Sequence, residues 1–437
     1  MSTGRSLGLW GAAAIGIGGM VGGGIFAVLG VVATRAGGAA PLAFAISGAV
    51  ALLTATSYAR LSVAYPSRGG SVVFIDKAFG VGVLTGALNN LLWFGYLVTL
   101  SLYAVAFASY AATFFSTSGD VSQWARHGLI SLAIIVPTGL NLLSAEIVAR
   151  TETAVVVVKL AVLVVVGAVG ATTVTGSRLS VATWPSVPGI VAAGMLVFVA
   201  YEGFELIANT AQDIREPRLT LPRAFYLSVG VVILLYVGIA AITVGSLAPD
   251  RIVAAADFAL GEAAKPGLGS AGFVLVAISA VLATLSAINA TLYGAARLSF
   301  AIAREGELPP ALERRVWSEP VGLLITAGIS LVLANTLDVT EISALASSIF
   351  LIVFAAANAS AFKQGKQIGA SRLLSGAGIT GCLFSLVVLV ADTIGDQPLA
   401  VMLLVGGVAA AIGAEALWLS HRRAVVLHER EDTDPAR

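Results

Sequence analysis

Two apolar stretches of this chain contain charged side chains that could do chemistry. Glu202 and Glu205 lie within GIVAAGMLVFVAYEGFELIANTAQD, and Lys159 lies within VVVVKLAVL. A charge in hydrocarbon is costly, so such residues are by default candidates for proton relays or for substrate and ion pathways. Two alternatives stay open: the carboxylates could form a polar packing site between helices, and the lysine stem could reach to the headgroups.

Glycine is concentrated in one apolar stretch, GIGGMVGGGIF, from Gly16 to Phe26. Six of its first nine positions are glycine, which would cost a continuous helix about 6 kcal/mol at about 1 kcal/mol each. Broken backbone in hydrocarbon is tolerated only where it lines a cavity or is buried in protein. Because free N–H groups at the start of a second half-helix attract anions, the stretch predicts a ligand-binding break. The alternative is a close-packed face of the GxxxG kind.

The composition as a whole is that of a polytopic membrane protein. Of the 437 residues, 58% are hydrophobic and 11% are charged, and the mean hydropathy is +0.94. A soluble domain carries about 25% charged residues. The net charge of +1 gives no indication of a nucleic-acid partner, and the single cysteine, Cys382, allows no intrachain disulfide.

Twelve apolar runs are long enough to cross a bilayer. They span approximately 8–33, 41–64, 84–116, 128–148, 152–175, 189–212, 223–247, 269–302, 321–336, 341–362, 373–391 and 399–420. If the N-terminus is cytoplasmic, nineteen of the 25 Lys and Arg residues lie in inside segments and five in outside segments, with Lys159 in neither. The positive-inside rule therefore predicts that both termini are cytoplasmic. We expect one membrane domain over 1–422 and a cytoplasmic tail over 423–437.

The run that contains Glu202 and Glu205 is the sixth span, five after the glycine-rich one. Because five is odd, the second set of five spans runs with the opposite topology to the first. Paired interrupted helices at matching positions of two inverted halves point to the binding site of a secondary transporter. We expect an all-α protein with inverted repeats over about 8–175 and 189–362, then two further spans over about 373–420. Gly23 and Gly203 would face each other near the midplane.

Four segments carry a family resemblance: GGMVGGGIF, YPSRGGSVVFIDKAFG, AYEGFELIANTAQDIREPRLTLPRA and NATLYGAARLSFAIAREGELPPALERRVW. With these motifs in register over spans 1 to 9, the chain resembles amino-acid permeases of the amino acid–polyamine–organocation superfamily. The fourth segment and Lys159 are similar to those of prokaryotic proton-coupled, sodium-independent permeases of broad specificity. The resemblance implies twelve transmembrane helices in the five-plus-five inverted-repeat (LeuT-type) fold, with spans 1 and 6 interrupted.

The resemblance also implies a substrate site at the two interruptions. The carboxylate of an amino acid would meet backbone N–H groups in the first span, and its ammonium would meet backbone carbonyls in both spans. The matching positions are Met20, Gly22, Gly23 and Gly24 in the first span and Val199, Tyr201, Glu202 and Gly203 in the sixth. Phe198 and Tyr201 are candidates for an aromatic gate, with ordinary helix packing as the alternative, and Tyr96 in the third span is expected to face the cavity.

Lys159 falls where many relatives hold a sodium ion between spans 1, 5 and 8. The resemblance implies that its ammonium replaces the ion, with contacts near Gly18 and Ser286, and that it loses and regains a proton in each cycle. Glu205 follows the family's Gly-aromatic-Glu pattern, in which the carboxylate can respond to pH. Glu202 receives no role from the resemblance, although a carboxylate that faced the substrate would favour cationic amino acids.

These observations predict a secondary active transporter that imports amino acids by proton symport through alternating access. It would lie in the lipid bilayer of the inner (plasma) membrane, with a small-molecule amino acid as substrate, the proton as coupling ion, and no cofactor or metal. A sodium symporter, an exchanger and a non-transporting substrate sensor remain alternatives. A membrane enzyme, a channel and an ATP-driven pump are disfavoured, because the sequence has no metal-ligand spacing, no filter motif and no GxxxxGK[ST] loop. The oligomeric state stays open.

Overall fold

The computed structural model describes the backbone of residues 7–67, 69–80, 82–116, 121–143, 145–304, 315–316 and 319–432. Side chains are described except over 143–154, 300–320 and 418–432. Within the fourth sequence motif, residues 305–314 and 317 therefore lie outside the described residues, and so does the end of the predicted tail over 433–437.

The described residues are almost entirely helical. The helices of the first half are α1 (Leu9–Met20), α2 (Gly24–Ala36), α3 (Ala40–Ala64), α4 (Ser71–Phe79), α5 (Val83–Ala112), α6 (Gln123–Leu143) and α7 (Ala145–Gly170). Those of the second half are α8 (Val187–Leu196), α9 (Leu206–Asn209), α10 (Pro217–Ser246), α11 (Pro249–Ala254), α12 (Ala259–Arg304), α13 (Gly322–Thr336), α14 (Val339–Ile368), α15 (Arg372–Asp396) and α16 (Pro398–Asp432). Two strands of two residues each, β1 (Arg315–Val316) and β2 (Glu319–Pro320), pair antiparallel between α12 and α13.

Nine segments of the described chain are long and apolar enough to cross a membrane. The helices α1 and α2 have only 12 and 13 residues. At about 1.5 Å per residue, each is too short to cross a hydrocarbon core of about 30 Å alone. The protein is a polytopic membrane protein in which some crossings are built from half-length helices.

Several elements differ from the predicted spans, and local sequence explains two of the differences. The charged patch of Glu146, Arg150 and Glu152 predicts a boundary between 148 and 152, but α6 ends at Leu143 and α7 begins at Ala145. That boundary is wrong because an acidic residue such as Glu146 is favourable in the first turn of a helix, so the patch belongs to α7. The last helix, α16, continues beyond the predicted end of its span at 420, through a segment rich in good helix formers.

The centre of the molecule is α5. In its apolar window 83% of the residues are buried, compared with 22% in α16. A helix that is apolar on all sides can face either lipid or other helices, and α5 is surrounded by helices, since it packs against α6, α12, α13, α14 and α16. One face of α5 is therefore available to line an interior site, and the helices around it supply the opposite walls.

Backbone hydrogen bonds join the beginning of α1 to the segment that follows α9. The N–H of Leu7 donates to the carbonyl of Asp213 at 3.1 Å, and the N–H of Arg215 donates to the carbonyl of Leu7 at 2.9 Å. The first and sixth spans are thus tied together at one end of the protein. This end is the one that the distribution of Lys and Arg predicts to be cytoplasmic.

Gly30 permits the contact between α2 and the 3₁₀ turn Ala256–Phe258. A Cβ at this position would lie 1.9 Å from the carbonyl oxygen of Ala256. We expect Gly30→Ala to lower the apparent Tm, because such overpacking costs about 1–3 kcal/mol. Gly230→Ala in α10 is the matched control, since its Cβ would meet open space among the described residues and alanine favours a helix by about 1 kcal/mol. Thermal unfolding in detergent compares the two, and an unchanged Tm for Gly30→Ala would contradict the contact.

Candidate functional site

The first span is interrupted within the glycine-rich stretch. The helix α1 ends at Met20 and α2 begins at Gly24, and we call Val21–Gly23 the first break. The last carbonyls of α1 and the first N–H groups of α2 have no partners within their own helices. The first break therefore presents a partly negative and a partly positive backbone end next to each other.

Two side chains from distant helices donate to the carbonyls of α1. The buried ammonium of Lys159 in α7 lies 2.9 Å from the carbonyl oxygen of Gly18. The hydroxyl of Tyr236 in α10 lies 2.7 Å from the carbonyl oxygen of Met20 and 3.2 Å from that of Ala200. The Lys159 ammonium therefore lies inside the protein rather than at a membrane surface, and a positive charge at the C-terminal end of a helix is favourable.

Ser286, the other expected neighbour of Lys159, is half-buried in α12. The next residue, Ala287, would be 3.2 Å from a Cβ placed on Gly22, and α12 also packs against α7. Three helices, carrying Gly18, Lys159 and Ser286, therefore meet beside the first break. The role of this group in ion coupling stays a prediction.

The sixth span is interrupted as well. It consists of α8, a 3₁₀ turn over Val197–Tyr201 and the single turn of α9 from Leu206. We call the residues between the last two, Glu202–Glu205, the second break. Glu202 is extended, and Gly203 has a φ of +112°. Glycine adopts this conformation without strain, whereas other residues rarely do.

The turn before the second break is fixed by other helices. The N–H of Val199 donates to the hydroxyl of Ser347 in α14 at 2.9 Å. The hydroxyl of Tyr201 donates to the carbonyl of Phe44 in α3 at 2.8 Å, and Phe198 packs its ring edge-on against α14. Phe198 and Tyr201 are fully buried. Burial is expected both for an aromatic gate that covers the substrate and for ordinary helix packing, so the gate stays a prediction.

The two interrupted spans contact each other through glycine backbone beside their breaks. A Cβ on Gly203 would lie 2.5 Å from the carbonyl carbon of Gly19, and a Cβ on Gly24 would lie 3.0 Å from the Cα of Ala200. The expected pairing of Gly203 with Gly23 is therefore wrong, since Gly203 meets Gly19 about one turn earlier. The spans cross where both backbones lack side chains, and this close approach sets their register.

The ring of Tyr103 in α5 approaches Gly23. A Cβ on Gly23 would lie 2.4 Å from the Cδ1 atom of this ring, so even an alanine methyl would collide with it. The Tyr103 hydroxyl donates to the carboxyl of Glu202 at 3.3 Å. Tyr103 therefore covers the first break and links it to the second.

Glu202 and Glu205 are both buried and both face α5. Tyr96 donates to one oxygen of Glu205 at 3.4 Å, and the N–H of Gly203 donates to the other at 2.8 Å. Tyr96 and Tyr103 are seven residues apart, about two helical turns, and so they lie on the same face of α5. The two carboxyls and the two hydroxyls form one hydrogen-bonded polar group beside the breaks.

Three residues of this site were not predicted from the sequence: Tyr103, Tyr236 and Ser347. The spacing of seven residues from Tyr96 would have indicated Tyr103. Nothing local distinguishes Tyr236 or Ser347 from an ordinary polar residue in a membrane helix, because their partners are backbone carbonyls and amides of other spans.

The chemistry available here is recognition by hydrogen bonds and charge. Among the described residues, no group of three or more His, Cys, Asp or Glu side chains could hold a metal ion. The site instead combines helix ends of both signs with one ammonium, two carboxyls and three phenolic hydroxyls.

Comparison with known proteins identifies the family. The model of the amino acid permease family matches residues 7–408. An uncharacterized protein of Methanocaldococcus jannaschii is 35% identical over 352 residues, which cover 80% of each chain. The inner membrane transport protein YbaT of Escherichia coli is 34% identical over 88% of this chain and 89% of its own. The branched-chain amino acid permease BcaP of Bacillus subtilis is 27% identical over 71% of this chain and 69% of its own.

The family match covers both breaks, Lys159 and the helices that surround them. The relatives whose names state an activity are membrane transport proteins and not enzymes. This chain therefore belongs to the amino acid permease family, within the amino acid–polyamine–organocation superfamily.

Proposed function

We propose that this protein is a secondary active transporter that imports amino acids by proton symport. The observation that carries the proposal is the arrangement at the first break, where the N–H end of α2 lies beside the carbonyls of Met20 and Ala200. An α-amino acid bears a carboxylate and an ammonium on one carbon, so it requires donors and acceptors close together. The two backbone ends meet this requirement without any charged side chain.

In this proposal the substrate ammonium binds where the hydroxyl of Tyr236 now lies. That hydroxyl has one proton and two carbonyl neighbours, those of Met20 and Ala200. An ammonium has three donors and a full positive charge, and charge-assisted hydrogen bonds are roughly twice as strong as neutral ones. The ammonium therefore displaces the phenol and joins the two interrupted spans.

The substrate carboxylate binds the backbone N–H groups of Gly22, Gly23 and Gly24. These groups lie at the positive end of α2, which favours an anion. The ring of Tyr103 rests against Gly23, so it must move for the carboxylate to reach the backbone. Because Tyr103 also donates to Glu202, substrate binding in the first break would alter the hydrogen bonds of the second.

Lys159 couples transport to the proton gradient in this proposal. Its ammonium lies at the C-terminal end of α1, the helix that ends at the substrate site. Loss of the proton removes the charge-assisted bond to Gly18 and frees α1 to move relative to α7. Glu205, which receives hydrogen bonds from Tyr96 and Gly203 in the second break, is the second proposed proton-linked group.

The proposed architecture has twelve spans, two inverted repeats of five and both termini in the cytoplasm. Interruptions in the first and sixth spans support the repeat, and the bias of Lys and Arg supports the orientation. The location in an inner membrane is supported by the name of the Escherichia coli relative. Alternating access would follow from rocking the interrupted spans, tied together at Leu7, against the rest.

The first test concerns the coupling ion. In proteoliposomes, we expect uphill uptake of labelled L-leucine, L-alanine or L-arginine under an inward proton gradient and none under an equal sodium gradient. We expect Lys159→Ala to reduce this uptake to background, because the protonated group is lost. Lys366→Ala, which removes an exposed lysine, is the control and should retain full uptake.

Each other outcome of that test has a defined meaning. Uphill uptake by Lys159→Ala would exclude the lysine from coupling. Uptake driven by sodium would replace the proton as coupling ion. Transport only when substrate is trapped inside would identify an exchanger, and substrate binding without any transport would identify a sensor.

A second test concerns the displacement of Tyr236. We expect Tyr236→Phe to bind the transported amino acid about 2- to 10-fold more tightly, because a hydrogen bond of about 0.5–1.5 kcal/mol no longer has to be broken. Tyr201→Phe is the control, since it removes a hydroxyl bonded to Phe44 instead, and its affinity should not change. Equilibrium binding to purified protein measures both, and weaker binding by Tyr236→Phe would contradict the displacement.

A third test separates two possible reasons for the glycine at position 23. We expect Gly23→Ala to lose stability, because its methyl collides with Tyr103, and to lose substrate binding. The double variant Gly23→Ala/Tyr103→Ala should regain stability but not binding, because the methyl still stands between the carboxylate and the backbone. Recovery of both would show that the glycine serves only to accommodate Tyr103. Thermal unfolding and equilibrium binding give the two measurements.

A further inference from the structure

A polar cavity of about 100 Å³ lies where the end of α5 meets the start of α6 and the turn Ala256–Phe258. We call it the outer cavity, because under the proposed orientation these three elements face the exterior. Roughly 10–15 Å³ of such volume holds one water molecule, so the outer cavity can hold a small solute. None of the residues discussed at the two breaks lines it.

Opposite charges face each other in the outer cavity. The Nη1 atom of Arg126 lies 3.0 Å from Oδ2 of Asp257, and the two side chains are 42% and 39% exposed. An ion pair this exposed contributes only about 0–1 kcal/mol. A ligand that offers each side chain a new partner can therefore separate the pair at small cost.

A hydroxyl and an apolar wall complete the outer cavity. Ser109 in α5 lines it, and its Oγ atom is buried with no hydrogen-bond partner among the described residues. Leaving such a group unsatisfied costs about 1–3 kcal/mol, so a polar ligand atom that reached it would be stabilised. Ala112 and Phe258 provide apolar surface beside these polar groups.

We propose that the outer cavity is a second binding site, for a zwitterionic amino acid whose carboxylate pairs with Arg126 and whose ammonium pairs with Asp257. A simple anion would be repelled by Asp257, and a simple cation would be repelled by Arg126. A zwitterion satisfies both, and the planar guanidinium can hold a carboxylate through two parallel hydrogen bonds. The choice of an amino acid as the ligand rests on the proposed function.

A series of packing contacts links the outer cavity to the first break through α2. Its wall includes Asp257 and Phe258, and the backbone of the neighbouring Ala256 packs directly on Gly30 of α2. The helix α2 begins at the first break. A ligand that separates Arg126 from Asp257 therefore acts on the turn that holds α2.

The test counts binding sites on the full-length protein in lipid nanodiscs. Labelled L-leucine, L-alanine and L-arginine are each measured to saturation. We expect two molecules per chain of any amino acid that is transported, and one per chain for Arg126→Gln/Asp257→Asn. The matched control is Arg35→Gln/Asp392→Asn, which removes another part-exposed ion pair, of 2.8 Å, that does not line the outer cavity, and it should still bind two.

Uptake by the same variants provides a second readout. We expect Arg126→Gln/Asp257→Asn to raise the KM for uptake severalfold and to leave the maximal rate unchanged, because the breaks are intact. Since both mutated side chains are part-exposed, folding should not be affected.

The proposal is overturned if the wild-type protein binds one molecule per chain, if Arg126→Gln/Asp257→Asn still binds two, or if both double variants lose a site together. Failure to bind any of the three amino acids would also overturn it. If the wild-type protein takes up the amino acid but binds only one molecule per chain, the outer cavity is not a binding site and the proposed function still holds. Failure of this inference can therefore be distinguished from failure of the proposed function.

Discussion

The structure at the centre of this permease depends on backbone N–H and carbonyl groups that have no partner within their own helix. A helix that stops half-way across leaves carbonyls and N–H groups without partners, and no bulk water is present to satisfy them. The ammonium of Lys159 donates a hydrogen bond to the carbonyl of Gly18, and the hydroxyl of Tyr236 donates one to the carbonyl of Met20. The first break is therefore stable only because α7 and α10 are in place, and any motion of α1 must exchange these partners.

The second constraint is the contact of backbone against backbone. Gly19 meets Gly203, and Gly24 meets Ala200, at distances that leave no room for a side chain. Such contacts bring carbonyls of both interrupted spans to one point, where a single hydroxyl reaches Met20 and Ala200 together. Glycine thus has two effects here: it allows each helix to break, and it allows the two breaks to share one binding site.

The same principle extends along α2. Its far half rests on the turn Ala256–Phe258 through Gly30, and that turn forms part of the outer cavity. A half-helix that begins at the first break and rests on a turn in the wall of the charged cavity can connect events at the two places. The ion pair of Arg126 and Asp257 is exposed enough to open, whereas the groups at the breaks are buried.

The amino-acid sequence by itself determined the membrane character, the family and the positions of both interruptions. These depend on local properties: hydropathy selects the spans, and glycine or a carboxylate within a span marks where a helix is costly to continue. Lys159 was also evident as a candidate functional residue, because a charged side chain in the middle of VVVVKLAVL is costly in hydrocarbon.

Apart from the contact of Lys159 with Gly18, which the family resemblance implied, tertiary structure alone decided which groups meet. Gly203 lies against Gly19 rather than Gly23, and Tyr236 and Ser347 reach backbone atoms of spans far away in the chain. The ion pair at the outer cavity joins Arg126 to a residue more than a hundred positions later. A sequence pattern indicates the environment that each residue favours. Which residues come into contact depends on where two helices cross, and residues that are far apart in the chain take part in each crossing. No local pattern contains that information.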